Sequence, residues 1–396
     1  MELFKLDNQI KHYAWGSPDW IPALTGRQNP EKTPWAELWM GVHGGGPSKV
    51  AGKNTPLGEF IAADPGRLLG GKAANLPFLL KILAAASPLS IQAHPNSEDA
   101  RRGWDAENAA GIKEESPDRN YRDPNHKPEI ICALTPFTVM AGFREPSATE
   151  RLAGAFFPPG APGDRLKRAL DGGCKNFLSA LFALDEKERR TVTALAAGAA
   201  RPAAQSLCAE AAEAFALCKK LAAAYPGDPG ILAPLYLNVM ELQPFQAIYL
   251  PSGILHSYVH GLGVECMANS DNVLRGGLTA KHIDKEELFR ILRFRPYTPE
   301  INSGEPDADE NWHRYSTPFR EFALFRLTLH HSAARLTERG AAIAVVTRGN
   351  VSLSAGTGAA LRLAQGESAF IPFRGTGQPL SAEGDADLFA ALIPET

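Results

Sequence analysis

The sequence predicts a mainly β protein interrupted by one α-helical insertion, and three observations carry that reading. Short apolar segments broken at Gly and Pro run through the first 60 residues. From about residue 145 to 234 the composition turns to Ala, Leu, Lys and Glu, and the apolar period becomes helical. After Pro234 strand-like segments return. A chain of 396 residues has room for two or three domains. The expected division is 1–144 with 235–300 as a discontinuous β domain, 145–234 as the insertion, and 301–396 as a C-terminal β domain.

Charge and cysteine content narrow the partners. With 41 basic and 44 acidic residues the formal net charge is -3, which gives no sign of a nucleic-acid or membrane partner and favours a small soluble substrate. Cys132, Cys174, Cys208, Cys218 and Cys266 are odd in number and lack CxxC spacing, so they read as buried thiols in a reducing compartment. The N-terminal stretch lacks the uninterrupted apolar core of a signal peptide, and no later run reaches membrane-spanning length. A cytoplasmic protein is expected.

In chain order, the first 60 residues mix aromatics with Gly and Pro, as β-structure with irregular loops does. Gly44-Gly45-Gly46 has the composition of an esterase oxyanion loop, but no Gly-x-Ser-x-Gly turn follows, so it is read as a turn. Leu76 to His94 is apolar apart from Lys81 and a few small polar residues, with a strand expected over Leu89 to His94. In a strand Gln92 and His94 share a face, which makes half a metal site, and Pro95 ends the strand near His94.

Residues 96 to 128 are polar and proline-containing, expected as an extended surface loop with one short helix. Glu129 opens the next strand, and facing the same cavity as Gln92 and His94 it would be an anionic third ligand.

Within the insertion, Ser147 with Glu150 and Asp185 with Glu188 have capping-box spacing. Leu207, Ala211, Ala214, Phe215, Cys218, Leu221 and Tyr225 predict one amphipathic helix ended by Pro226-Gly227, its stripe serving packing.

Beyond it, Gln246 to Leu250 runs into Pro251-Ser252-Gly253 and His256. A strand, a Pro-x-Gly turn and a following His resemble the second metal-binding motif of cupins, small jelly-roll barrels with a metal inside, and His256 is the candidate fourth ligand. Glu265 to Lys281 is the densest polar constellation, a strand-like start that gathers Glu, Asp, Arg and Lys as a substrate pocket would. Residues 283 to 293 predict a short helix. Ala341 to Phe373 has cupin-like turns without histidine, so a barrel there would be metal-free.

Taken together, Tyr13-Ala14-Trp15-Gly16, Ala36 to Gly41, Leu89 to Pro95, His126-Lys127-Pro128-Glu129, His256-Ser257-Tyr258 and Glu265 to Lys281 resemble type I phosphomannose isomerases, the zinc-dependent mannose-6-phosphate isomerases. The resemblance spans roughly residues 5 to 290, with Ala280 where the family usually has proline. It implies cupin-type jelly-roll barrels, a metal-bearing one at the centre and a metal-free one at the C-terminus. It also implies one zinc per chain, held by Gln92, His94, Glu129 and His256, and a catalytic arginine at Arg275. The substrate would be a sugar phosphate and the protein a monomer.

Interconverting an aldose and a ketose passes through a negatively charged enediolate, which zinc and Arg275 would stabilise. Lys127 and Lys281 are candidates for the phosphate or a sugar hydroxyl, and Ser90, Tyr258 and Asp271 for further substrate contacts. Glu265 is the expected proton-transfer base; a zinc-bound water, or His256 displaced from the metal, would serve the same role. Two readings from other classes remain, an iron-dependent cupin dioxygenase and a non-enzymatic sugar-binding cupin. Gln92 among the ligands argues against the first, and the clustered charges argue against the second.

Overall fold

A computed structural model describes residues 1–71, 73–160, 162–198, 209–375 and 378–395. The N-terminal strands are β1 (Phe4–Asp7), β2 (Gln9–Lys11), β3 (Glu37–Gly41), β4 (Lys49–Val50), β5 (Thr55–Pro56), β6 (Phe78–Ala85), β7 (Ile91–Ala93), β8 (Glu129–Ala133) and β9 (Phe137–Phe143). After the helices come β10 (Leu237–Leu242), β11 (Ala247–Leu250), β12 (His256–Ala268) and β13 (Leu274–Gly277). The C-terminal set is β14 (Glu305–Pro306), β15 (Trp312–Tyr315), β16 (Ala323–Leu336), β17 (Ala342–Ala355), β18 (Leu361–Ala364), β19 (Ser368–Ile371) and β20 (Leu380–Leu392).

Two antiparallel sheets result. The central one runs β10-β9-β12-β6-β3-β2, with β8 and β7 also pairing β12, β11 pairing β8, and β13 pairing β7. The C-terminal one runs β14-β15-β16-β20-β17-β19-β1-β4-β5. The chain's first strand is thus stitched to its last quarter, with Phe4 opposite Phe370.

Period-two alternation decides what each face of the central sheet does. Leu38, Met40, Leu80, Ile82, Val264 and Cys266 point into a core shared with Ile343, Val345, Phe370 and Phe389 of the C-terminal sheet. Each fully buried Leu or Ile there contributes about 1.5–3 kcal/mol over an exposed one. The residues between them, Glu37, Trp39, Lys81, Leu83, Glu265 and Met267, face the other way and line a cavity.

Between β9 and β10 the described residues are helical, as Pro146–Phe156, Gly163–Ala169, Gly173–Phe182, Glu186–Ala197, Ala209–Ala224 and Ala233–Tyr236. Leu152, Leu178, Leu181, Phe215 and Leu221 from these helices pack with Ile91, Met140 and Val259 of the central sheet. Among the described residues no helix is long and apolar enough to cross a membrane.

Several local expectations need correction. Asp185 and Glu188 form a capping box, but Ser147 and Glu150 do not. Pro146 is the first helical residue after Glu145. A proline there has no amide to cap, so the helix starts early and Ser147 falls inside its first turn. The segment expected as mostly loop contains a thirteen-residue helix, Ser97–Ala109. Asn96 caps it by accepting the Asp99 amide, and only Ala100 and Gly103 are buried, so no apolar stripe announced it. The strand expected from Leu89 to His94 is only Ile91–Ala93. Glu265 lies within β12 and not in the loop that carries Asp271, although both line one cavity. Cys174 is only half-buried, whereas Cys132, Cys218 and Cys266 are buried free thiols; Leu207 and Cys208 lie outside the described residues.

Candidate metal centre and the cavity beside it

Three short pieces of strand bring the polar side chains together. β7 lies between β12 and β13, and Gln92 stands opposite His256 on one side and Arg275 on the other. Directly opposed residues share a face, so these three form a row across the sheet. His94 follows two residues after Gln92, just past the strand end, and Glu129 opens β8 opposite Met267 of β12.

His94, Glu129 and His256 converge, with one ligand atom from each within 4.8 Å of the others. The His94 Nε2 to Glu129 Oε2 distance is 3.3 Å, and that from His256 Nε2 to Glu129 Oε1 is 2.9 Å. All three side chains are buried. The other ring nitrogens are committed: His94 Nδ1 lies 2.8 Å from the Asn272 carbonyl and His256 Nδ1 2.9 Å from that of Ile254. A carbonyl only accepts, so each Nδ1 carries an N–H, which leaves each Nε2 as the nitrogen that would offer its lone pair to a cation beside the carboxylate.

His94 Nε2, His256 Nε2 and Glu129 Oε2 have no hydrogen-bond partner. Buried lone pairs facing one another are costly unless a cation sits among them, so the donor set fits a metal ion. Two imidazoles and a carboxylate suit zinc. Burial, reinforced by Lys127, pushes the His94 imidazole down to about 4, so it is neutral and free to ligate at pH 7. Burial alone would raise the Glu129 carboxyl, but positive charge on His94 or His256, whenever either ring carries a second proton, outweighs burial and holds it well below its usual value, so the cluster keeps its carboxylate. Lys127 Nζ stands 3.8 Å from Glu129 Oε2, and the Tyr258 hydroxyl donates to Oε1 at 3.1 Å. Tyr258 keeps that proton because burial, then Glu129 and Glu265, raise its pKa.

Beside this cluster is a cavity of about 420 Å³. Ser90, Gln92, Lys127, Tyr258, Glu265, Asp271, Arg275 and Lys281 all line it. Arg275 and Lys281 are each lowered, first by burial and then by cationic neighbours: Arg122 in the case of Arg275, Arg275 and Arg122 in the case of Lys281. Three cations set that close repel one another, an arrangement that becomes favourable when an anion joins them. His43 Nε2 lies 3.5 Å from Asp271 Oδ1.

The sequence reading missed one ionic group on the cavity wall. Lys81 of β6 is buried between Trp39 of β3 and Glu265 of β12, each directly opposite it. Its ammonium is 2.8 Å from Glu265 Oε2 and 3.7 Å from Glu37 Oε1, and the Trp39 indole donates to Glu37 Oε2 at 2.6 Å. Burial by itself would depress Lys81, but Glu265 and Glu37 more than offset it and raise its pKa. Burial likewise raises Glu265, with Lys81 pulling the other way. The available signal was Lys81 itself, a single charge inside an eight-residue apolar strand.

Residues 3–146 match the family described as phosphomannose isomerase type I, catalytic domain. Mannose-6-phosphate isomerase of Escherichia coli strain K12 is 37% identical, covering 93% of this chain and 94% of its own. The Salmonella typhimurium enzyme is 37% identical over 97% of this chain and 98% of its own, and that of Bos taurus 32% over 93% of each. A crystal structure of mannose 6-phosphate isomerase bound with zinc and yttrium is 33% identical with a TM-score of 0.88, and the apo form from Salmonella typhimurium is 33% identical with a TM-score of 0.89; each covers both chains fully.

Proposed function

The chain belongs to the type I phosphomannose isomerases, and from that membership we propose how its own residues interconvert mannose 6-phosphate and fructose 6-phosphate. It holds one zinc, and the observation that carries the assignment is the trio of unpartnered buried donor atoms on His94, Glu129 and His256. Gln92, in register with His256, is the fourth ligand in this reading. Zinc bound there supplies a net charge near +1 that polarises the sugar oxygens as the enediolate develops.

The remaining roles belong to the cavity wall. Glu265 takes the proton from C2 of the aldose and returns it to C1 while the hydroxyl proton of O2 passes to O1, so that one carboxyl group serves both directions. Its buried position raises its pKa toward the working range of a general base. Lys81, at 2.8 Å, holds that carboxylate in place. Arg275 faces the negative charge that grows on the sugar oxygens, while Lys281 and Lys127 bind the phosphate or a hydroxyl. Ser90, Tyr258 and Asp271 orient the sugar.

The same reading takes the central sheet as a cupin-type jelly roll and the C-terminal strands as a second, metal-free one. The insertion over 145–234 is then a lobe beside the metal-bearing barrel, and 301–396 a separate C-terminal domain.

The test is a coupled assay that detects fructose 6-phosphate from mannose 6-phosphate, with free mannose converted to fructose as the comparison. Each charge-assisted contact to the phosphate is worth about 1.5–3 kcal/mol, so free mannose is expected to be at least tenfold poorer in kcat/KM. Equal efficiency on both sugars contradicts the phosphate role of the lysines, and no turnover of either contradicts the function.

A further inference from the structure

The helical insertion ends in a turn that reaches the cavity. Its helix Ala209–Ala224 stops at Tyr225, whose side chain lines the cavity and whose hydroxyl donates to the Pro88 carbonyl at 2.7 Å. Three residues later Asp228 folds back on the turn and across to β13. Its Oδ1 accepts from the Gly230 amide at 2.7 Å and its Oδ2 from the Thr279 amide at 3.1 Å. The Thr279 hydroxyl in turn accepts from the amide of Lys281, also at 3.1 Å.

The segment so held is strained. Leu278, next to Thr279, has a φ of 53°, left-handed backbone that a branched apolar residue seldom adopts unless its surroundings impose it. The two segments also meet backbone to backbone. A Cβ on Gly277 would lie 3.0 Å from the Gly230 Cα, and one on Gly230 would lie 2.9 Å from the Leu278 amide nitrogen. Arg275, held opposite Gln92 in β13, precedes this kink and Lys281 follows it, so the kink sets where Lys281 stands relative to Arg275.

We infer that Asp228 is a positioning residue for the isomerisation. It fixes the 277–281 turn in the one conformation that brings Lys281 to the cavity, so that the insertion sets affinity for the phosphate end of the substrate. The inference rests on the reading of Lys281 as a phosphate contact. A merely structural Asp228 would hold the lobe to the sheet and leave substrate affinity untouched.

Zinc-loaded D228A, D228N, K281A and D228A/K281A, assayed with mannose 6-phosphate and for metal content, separate these roles. D228A is expected to raise KM about tenfold with kcat within about threefold and zinc unchanged. D228N keeps an acceptor oxygen and should return KM to within about threefold of the parent. If Asp228 acts through Lys281, the double variant has no higher KM than K281A, because the two effects do not add. An unchanged KM in D228A, or effects of D228A and K281A that multiply, overturns the inference. An unchanged KM in K281A instead removes the phosphate role of Lys281; positioning through Arg275 would then show as a lowered kcat in D228A, and a D228A with both kcat and KM unchanged ends it. Should D228A not fold, Asp228→Ser keeps an acceptor for Gly230 but is too short for Thr279, and the same KM outcomes decide.

Discussion

The main-chain carbonyl of Asn272 accepts the Nδ1–H of His94 at 2.8 Å, and the Asn272 side chain is bound just as closely to the segment that leads into Glu129. Its Nδ2 donates to the carbonyls of Asp123 and Asn125, and its Oδ1 accepts from the amides of Arg122 and Asp123. One buried residue therefore orients one ligand through its main-chain carbonyl and holds, through its side chain, the backbone that delivers another.

Asn272→Ala keeps the carbonyl that accepts from His94 but loses the side-chain bonds that anchor it to residues 122–125, so both that carbonyl and the segment leading into Glu129 shift and zinc binding should weaken by about 10-fold, the low end of what disturbing outer-shell alignment costs. Competition with a chromophoric chelator measures it directly, and an affinity equal to that of the parent contradicts the role.

Lys81 is the second test. Lys81→Met leaves Glu265 and Glu37 buried without their counter-charge, and breaking a buried pair from one side costs about 3–5 kcal/mol. The lysine pKa is raised in the fold: burial opposes the charge, but the two carboxylates outweigh burial. Such a group stabilises fully below its unfolded value, about 10.4, and loses its contribution as pH rises through the folded one. The gap in unfolding free energy between parent and variant should thus narrow above about pH 10 as the lysine of the unfolded parent loses its proton, and narrow also in acid, where the buried Glu265 of the variant takes one up. Denaturant melts at pH 7 and 10.5 check both points; a variant within about 1 kcal/mol of the parent at pH 7 refutes the first.

What the sequence made legible follows from the range of each interaction. Gln92, His94 and Pro95 are adjacent, so strand alternation alone put two side chains on one face. The turn before His256 is equally local. Lys81 was noticed only as an exception in an apolar run, because its partner Glu265 is 184 residues away. The pairing of β1 with β19 had no local signal either, since the two strands lie at opposite ends of the chain. Helix Ser97–Ala109 was read as loop because its stability comes from the Asn96 cap and first-turn acids, with no apolar face to register as a period. Asn272 looked like one polar residue among many; its importance lies in five side-chain hydrogen bonds to a segment some 150 residues earlier.

Arg275 stands in register with Gln92 on the cavity side of the metal centre, and its action is expected mainly in the transition state. A fixed cation becomes most favourable as the enediolate charge develops, so Arg275→Ala should retain zinc, keep KM within about tenfold and lose about 10²–10³ in kcat. Steady-state kinetics with metal content decide the matter. A raised KM with kcat retained makes Arg275 a phosphate clamp instead.

The most direct test of the whole account is a zinc titration of the chelator-stripped protein, with mannose 6-phosphate turnover followed at each addition. His94, Glu129 and His256 form one cluster among the described residues, so turnover should be negligible at the start, rise linearly and break at one equivalent of zinc per chain. A stripped protein as active as the loaded one, or a break at a different stoichiometry, contradicts it.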